Sequence, residues 1–233
     1  MIASRKHGFI FIKTMKTAGT SIELALSTVC GPDDILTPIG VEHDRLRADA
    51  GIEPRNFSDT LEARYLKALR KRNNKLMRPV LRELEASGLW AHALPDAIKA
   101  RVGRKFWKSA VKVASERHPY EKALSRAYHS YRKTTPFAEH LDRVVFEERF
   151  YIGHRYYIQG GKVIAGFFVR HNLLNEDFAR LCNRLALPSL KLPMARYNAE
   201  RDRTPARDVL SPSQRDFIYE QCAPEFELFG WER

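Results

Sequence analysis

The 233-residue chain has only three cysteines, Cys30, Cys182 and Cys222. They are odd in number, widely spaced, form no Cys-x-x-Cys pair and show no metal-ligand spacing with histidine. A disulfide framework and a structural zinc site are therefore not expected, and a reducing cytoplasm is the expected setting. The sequence also lacks an apolar run approaching the roughly 20 residues that span a bilayer. Its first apolar run, Gly8 to Ile12 (GFIFI), is too short for the core of a signal peptide, so a soluble cytoplasmic protein with no membrane span is expected. No internal repeat, low-complexity tract or linker interrupts the chain. With 44% hydrophobic residues it is long enough to bury one sizeable core, and a single domain over residues 1–233 is the expectation. The nucleoside-triphosphate loop Gly-x-x-x-x-Gly-Lys-[Ser/Thr] is missing too: Lys16 precedes Gly19 instead of following a second glycine.

Positive charge is abundant. Forty Lys and Arg against 28 Asp and Glu leave a net charge of +12, which implies an anionic partner: nucleic acid, an acidic membrane, an acidic glycan or a polyanionic small molecule. Charge alone does not choose among them. A helical insertion is predicted from about Asp59 to Ser87, kinked at Pro79. Between Arg64 and Arg82 it carries Arg64, Lys67, Arg70, Lys71, Arg72, Lys75, Arg78 and Arg82 and no acid. This run reads either as a solvated face or as a docking surface for an anionic acceptor.

Strand and helix signals alternate. Gly8 to Ile12 reads as a buried strand, followed by a helix with Ile22, Ala25 and Leu26 at helical spacing, Thr20 or Ser21 as its cap, and Gly31-Pro32 as its end. Ser109 to Glu116 repeats the pattern, with Pro119 in the first turn of a helix running to about Tyr131. Val163 to Val169 is a third strand candidate, followed by a helix from about Leu173 to Leu187. A short helix is expected over Asp96 to Val102, and another from Ser211-Pro212 to Cys222. The alternation predicts an α/β fold with a central, mainly parallel sheet flanked by helices.

The loop Lys13-Thr14-Met15-Lys16-Thr17-Ala18-Gly19-Thr20-Ser21 joins a strand to a helix, an arrangement that suits a phosphate-like anion. Helix N-terminal N–H groups and the helix dipole face such a ligand, Gly19 permits close approach, hydroxyls add donors, and Lys16 adds a charge. An ordinary capped turn has the same composition. A second segment, Arg117-His118-Pro119-Tyr120-Glu121-Lys122-Ala123-Leu124-Ser125, also follows a predicted strand; taken alone, an arginine before a helix N-terminus reads as structural.

Together these two segments resemble the sulfotransferases, especially bacterial proteins related to the heparan-sulfate 2-O-sulfotransferase family. Phe9 to Glu23 is similar to the family's 5′-phosphosulfate loop, with Met15 in place of the usual proline. Arg117 to Ser125 is similar to its 3′-phosphate motif, with His118 where Asn is common. The resemblance implies a P-loop-like three-layer fold and a sulfuryl donor, 3′-phosphoadenosine-5′-phosphosulfate (PAPS), with adenosine 3′,5′-bisphosphate as product and no metal. It implies that Lys16, Thr17, Ala18, Gly19, Thr20 and Ser21 hold the 5′ end, Lys16 acting also in catalysis, and that Arg117 and Ser125 hold the 3′-phosphate. The acceptor it implies is a hydroxyl of a carbohydrate or glycolipid.

An acceptor hydroxyl needs a general base. His92 is the first candidate, with His43 and Glu116 behind it, although Glu116 could instead orient Arg117 and His92 could be a capping or surface histidine. Arg201 and Arg203 fall where related enzymes close a loop over the nucleotide. His154, Arg170 and His171 are expected to be structural or on the acceptor side. Two alternatives stand beside this reading: a P-loop-type ATP-dependent kinase, and a basic nucleic-acid-binding protein, for which no fold signature is present.

Overall fold

A computed structural model describes residues 1–193 and 204–233. Its elements run β1 (Ile2–Ser4), β2 (Phe9–Ile12), α1 (Gly19–Ser27), β3 (Ile35–Leu36), α2 (Val41–Asp49), α3 (Glu62–Arg70), α4 (Asn74–Ala86), α5 (Pro95–Val102) and α6 (Arg104–Ser109). They continue with β4 (Val111–Glu116), α7 (Pro119–Ser130), α8 (Phe137–Arg143), β5 (Ile158–Gln159), β6 (Lys162–Val163), β7 (Phe167–Arg170), α9 (Leu174–Arg184), α10 (Ala206–Val209), α11 (Pro212–Gln221) and α12 (Ala223–Phe229). The central sheet has the order β3-β1-β2-β4-β7. β2, β4 and β7 pair in parallel, whereas β1 is antiparallel to both β2 and β3, so only β1 runs against the rest. The expected α/β fold with a mostly parallel sheet flanked by helices is present in this form.

Side chains alternate across a strand, and the two faces of this sheet are both apolar. Ile10, Ile12 and Ala114 face a cluster built from Tyr65 and Leu69 of α3, Met77, Val80 and Leu84 of α4, and Ile98 and Val102 of α5. Phe9, Phe11, Val113 and Val169 face Ile22, Ala25 and Leu26 of α1 and Phe178, Leu181 and Cys182 of α9. The helical insertion is thus one of the layers that cover the sheet. A third cluster joins α7, α8, α10, α11 and α12 through Tyr120, Ala127, Leu141, Ile218 and Phe226.

Several boundaries differ from the sequence reading. The insertion is two helices, broken at Arg72, not one helix kinked at Pro79. Arg72 adopts the left-handed conformation (φ 50°), Asn73 N–H donates to Ala68 O at 2.9 Å and Arg72 N–H to Leu69 O at 2.8 Å, closing α3 as a glycine normally would. The Asn73 side chain then accepts from Leu76 N–H and starts α4, leaving Pro79 inside that helix. Helix α1 ends at Ser27, before Gly31-Pro32, and is preceded by Ala18, not by a capping Thr20 or Ser21. Val163 belongs to a separate two-residue strand paired with β5, so the third strand of the sheet begins only at Phe167. Ser211 caps α11 in a reciprocal capping box with Gln214, and Pro212 takes the first position.

Two buried ion pairs tie these layers together. Asp44 accepts from Arg47 at 2.7 Å and from the Tyr65 hydroxyl at 2.6 Å, fastening α2 to α3. Glu116, at the end of β4, accepts from Lys122 Nζ at 2.6 Å, and both side chains are buried. Gly153 lies against this pair with an ordinary backbone (φ −96°), yet a Cβ there would fall on Glu116 Oε2 and within 2.7 Å of Lys122 Nζ. Gly153→Ala should therefore cost about 3 kcal/mol, since overpacking and a disturbed buried pair act together. Urea unfolding monitored by circular dichroism measures this; wild-type stability would show that the 153 loop moves aside freely.

Candidate functional site

Parallel pairing brings the two anion-type segments to one end of the sheet. Ile12 of β2 lies opposite Ala114 of β4, so the loops leaving both strands start side by side. Three hydroxyl-bearing residues clasp them: Thr14 Oγ1 donates to Ser115 O, and Thr17 Oγ1 lies 3.0 Å from Thr14 Oγ1 and 2.7 Å from Ser115 Oγ. The hydroxyl of Thr17 is thereby committed to the β4 end.

A cleft of about 360 Å³ opens above this clasp and is lined by all the residues from Lys13 to Ser21, by His92, and by Arg117 and Ser125. Lys16 and Ala18 both adopt left-handed conformations, with φ of 61° and 62°. Each costs a non-glycine residue on the order of 1 kcal/mol, so the loop is held in shape by its surroundings. Ala18 is the N-cap of α1 and has no polar side chain to satisfy the helix's first N–H groups. An uncapped helix start facing a cleft is suited to an anion.

Gly19 has a further role beside the one read in the sequence. Its φ is not left-handed, but a Cβ would lie 2.6 Å from Lys13 Cγ and 3.2 Å from Cε. One close approach it permits is that of the Lys13 side chain. Lys13 is 4% exposed; its ammonium donates to Thr20 Oγ1 at 3.1 Å and to Glu23 Oε2 at 2.7 Å. Glu23 also accepts from the Met1 amino group. Burial opposes ionisation of Glu23, but Lys13 and the amino group together hold its carboxyl down at about 2.

On the other side of the cleft, Arg117 precedes α7 and donates to Glu121 Oε2 at 2.6 Å. Glu121 and Ser125 follow at four-residue spacing, which aligns them along one face of the helix. Glu121 Oε1 also accepts from Ala206 N–H, tying this face to the first residue of α10. His118 caps α7 through Nδ1, which accepts from Tyr120 N–H at 3.3 Å, leaving Nε2 to donate to Glu232 O.

Of the three base candidates only His92 lines the cleft. Its Nδ1 is 3.1 Å from Lys13 O; a carbonyl only accepts, so Nδ1 carries the proton and Nε2 keeps the lone pair. Trp90 packs against the ring with centroids 5.0 Å apart. Burial, then the nearby Lys13 charge, pushes the imidazole down to about 3. Glu116 fits the second of its two readings: it is buried, and its Oε1 accepts from Arg117 N–H as well as from Lys122, so it orients the Arg117 backbone and fixes α7. His43 is buried in α2 and does not line the cleft. Arg201 and Arg203 lie outside the described residues. His154 pairs with Glu225 at 2.8 Å and Arg170 with Asp177, both away from the cleft, whereas His171 lines it.

Trp90, Arg126, His129 and Lys13 also line the cleft and were not singled out in the sequence. Arg126 and His129 were within reach, because they follow Ser125 directly and lie one turn beyond it on α7. No sequence signal marked Lys13 or Trp90. In the basic run, Arg64 pairs with Glu83, Arg70 with Glu53 and Arg72 with Asp49, all at exposed positions, which supports the solvated-face reading for that part. Among the described residues no helix is long and apolar enough to cross a membrane.

The lowered His92 pKa has a definite sign. The unfolded chain takes up this proton near pH 6.5 and the folded one only near 3, so the contribution of His92 to stability is full above 6.5 and is lost as pH falls through that window. His92→Gln should flatten the fall in stability between pH 6.5 and 3, measured by urea unfolding at a series of pH values. Two-dimensional NMR of the imidazole should show an Nδ1–H neutral tautomer at pH 5; a ring that titrates near 6.5 would contradict the geometry.

No family model matches the chain, and no curated protein and no solved structure matches it, so the functional reading rests on the cleft.

Proposed function

We propose that the chain binds PAPS in this cleft and transfers its sulfuryl group to a hydroxyl of an acceptor, a carbohydrate or glycolipid being the favoured class. One observation carries the reading: two segments whose chemistry suits anions line a single cleft of about 360 Å³, the uncapped start of α1 with Lys16 and the Arg117–Ser125 face of α7. A nucleotide with phosphate groups at both its 5′ and 3′ ends would use both. The volume lies in the range of small-molecule sites. In this reading β2 and α1 form a P-loop-like strand–loop–helix unit.

The donor would supply the sulfuryl group. Lys16 and the first N–H groups of α1 would stabilise negative charge gathering at the 5′-phosphate as the bond to sulfur breaks. Arg117 would give a charge-assisted fork and Ser125 a hydroxyl to the 3′-phosphate. His92 Nε2 would accept the proton of the acceptor hydroxyl. The Lys13 charge makes His92 a weak base in the empty cleft, and a polyanionic donor beside it would offset that repulsion. His171, Trp90 and His129 remain for the acceptor side.

The kinase reading lacks the glycine–lysine order of an ATP loop. The nucleic-acid reading loses support from the pairing of Arg64, Arg70 and Arg72 with acids of the same chain. Calorimetric titration with adenosine 3′,5′-bisphosphate, ATP–Mg and a DNA duplex separates the three. The bisphosphate should bind best, and Arg117→Ala should weaken it by roughly 10- to 100-fold, the range for a lost charge-assisted bond. Equal or tighter binding of ATP–Mg would sink the proposal. In an assay of sulfuryl transfer to a panel of hydroxyl acceptors, His92→Ala should keep nucleotide affinity while turnover drops by about 10² to 10⁴.

A further inference from the structure

The geometry points to Lys13 as a positioning residue that serves both halves of the reaction: its ammonium orients the Thr20 hydroxyl toward the bound anion, and its carbonyl holds the His92 imidazole. The inference rests on the reading that an anion occupies the α1 end of the cleft. Nothing in the loop motif requires a lysine at this position, because the charge assigned to the 5′ group is that of Lys16.

Three features support it. Lys13 Nζ donates to Thr20 Oγ1 at 3.1 Å, and an ammonium has no lone pair to accept in return. The Thr20 hydroxyl hydrogen must therefore point away from Lys13, and Thr20 lines the cleft. A hydroxyl that accepts from a cation is polarised and becomes a stronger donor to the next group, so Lys13, Thr20 and the anion form a directed chain. The second feature is the cost of the arrangement: the side chain passes where a Cβ of residue 19 would be, so Gly19 is required for it. The third is its anchoring, since Glu23 holds the same ammonium at 2.7 Å and both side chains are almost wholly buried. Backbone and side chain of one residue thus set the donor geometry of Thr20 and the tautomer of His92.

Removing Lys13 alone would leave the Glu23 carboxylate buried beside one fewer cation, so the test uses Lys13→Met/Glu23→Gln with Glu23→Gln as reference, both checked for native circular dichroism. Calorimetry is run with adenosine 3′,5′-bisphosphate and with adenosine 3′-monophosphate, which lacks the group at the loop. The double variant should lose about 10-fold or more for the bisphosphate and less than twofold for the monophosphate. Thr20→Val should produce a similar loss, and adding it to the double variant should change little, because the two residues act in series. In the transfer assay the acid limb of the pH profile should move to higher pH in the double variant, the Lys13 charge having been removed. Equal losses for both nucleotides, or additive losses with Thr20→Val, would assign Lys13 a purely structural role. Should the wild-type protein bind neither nucleotide, the proposed function falls. Lys13 is then tested with inorganic sulfate, whose binding should weaken in the double variant; unchanged sulfate binding overturns the inference.

Discussion

The parallel pairing of β2 with β4 is the constraint on which the site depends. Two parallel strands in register end at the same edge, about 4.8 Å apart, so whatever follows each of them emerges at one place. Here an uncapped helix start follows β2 and an arginine-led helix follows β4. The Thr14–Thr17–Ser115 clasp converts this proximity into fixed geometry, because each hydroxyl finds its partner across the two strand ends. β1 runs the other way, so its start lies at this edge, where the Met1 amino group donates to Glu23, and its other side pairs with β3.

Beneath the cleft the protein keeps charges that a hydrophobic core would normally exclude. Lys13 with Glu23 and Lys122 with Glu116 are buried pairs, each at the root of one arm of the site. Such pairs contribute little net stability compared with apolar packing, but breaking either leaves a charge without water. Their effect here is directional. Glu23 holds Lys13 under Thr20, and Glu116 holds both the Arg117 backbone and the start of α7. The same buried charge that shapes the loop adds to burial in lowering the proton affinity of His92, so an anion bound in the cleft would be coupled electrostatically to this imidazole.

Much of the fold could be read from periodicity. GFIFI read as a buried strand because its apolar run is too short for a helix and is bounded by a Thr/Lys/Gly loop, and the helices after it and after Pro119 had apolar stripes. The misreadings have local causes. Arg72 closes α3 in a conformation usually marked by glycine, so the only visible breaker was Pro79, which α4 accommodates. Val163 and Phe167 are close in sequence but belong to different sheets, and no periodicity distinguishes a hairpin from the end of a strand. Glu116 looked like a possible base because its partner, Lys122, is six residues away on a helix whose packing was not visible.

From sequence alone it was determinable that a Thr/Lys/Gly loop and an arginine-led segment each follow a strand and precede a helix, and that the chain is strongly cationic. These are local properties, set by residue type and spacing along a few turns. Only the tertiary structure decided that both loops line one cleft with His92, that His43 and Glu116 do not line it, and that Gly19 makes room for Lys13. Those facts depend on contacts between residues far apart in the chain, as from Lys13 to His92. Such contacts are fixed by how the two faces of the sheet are covered, and no local pattern records them.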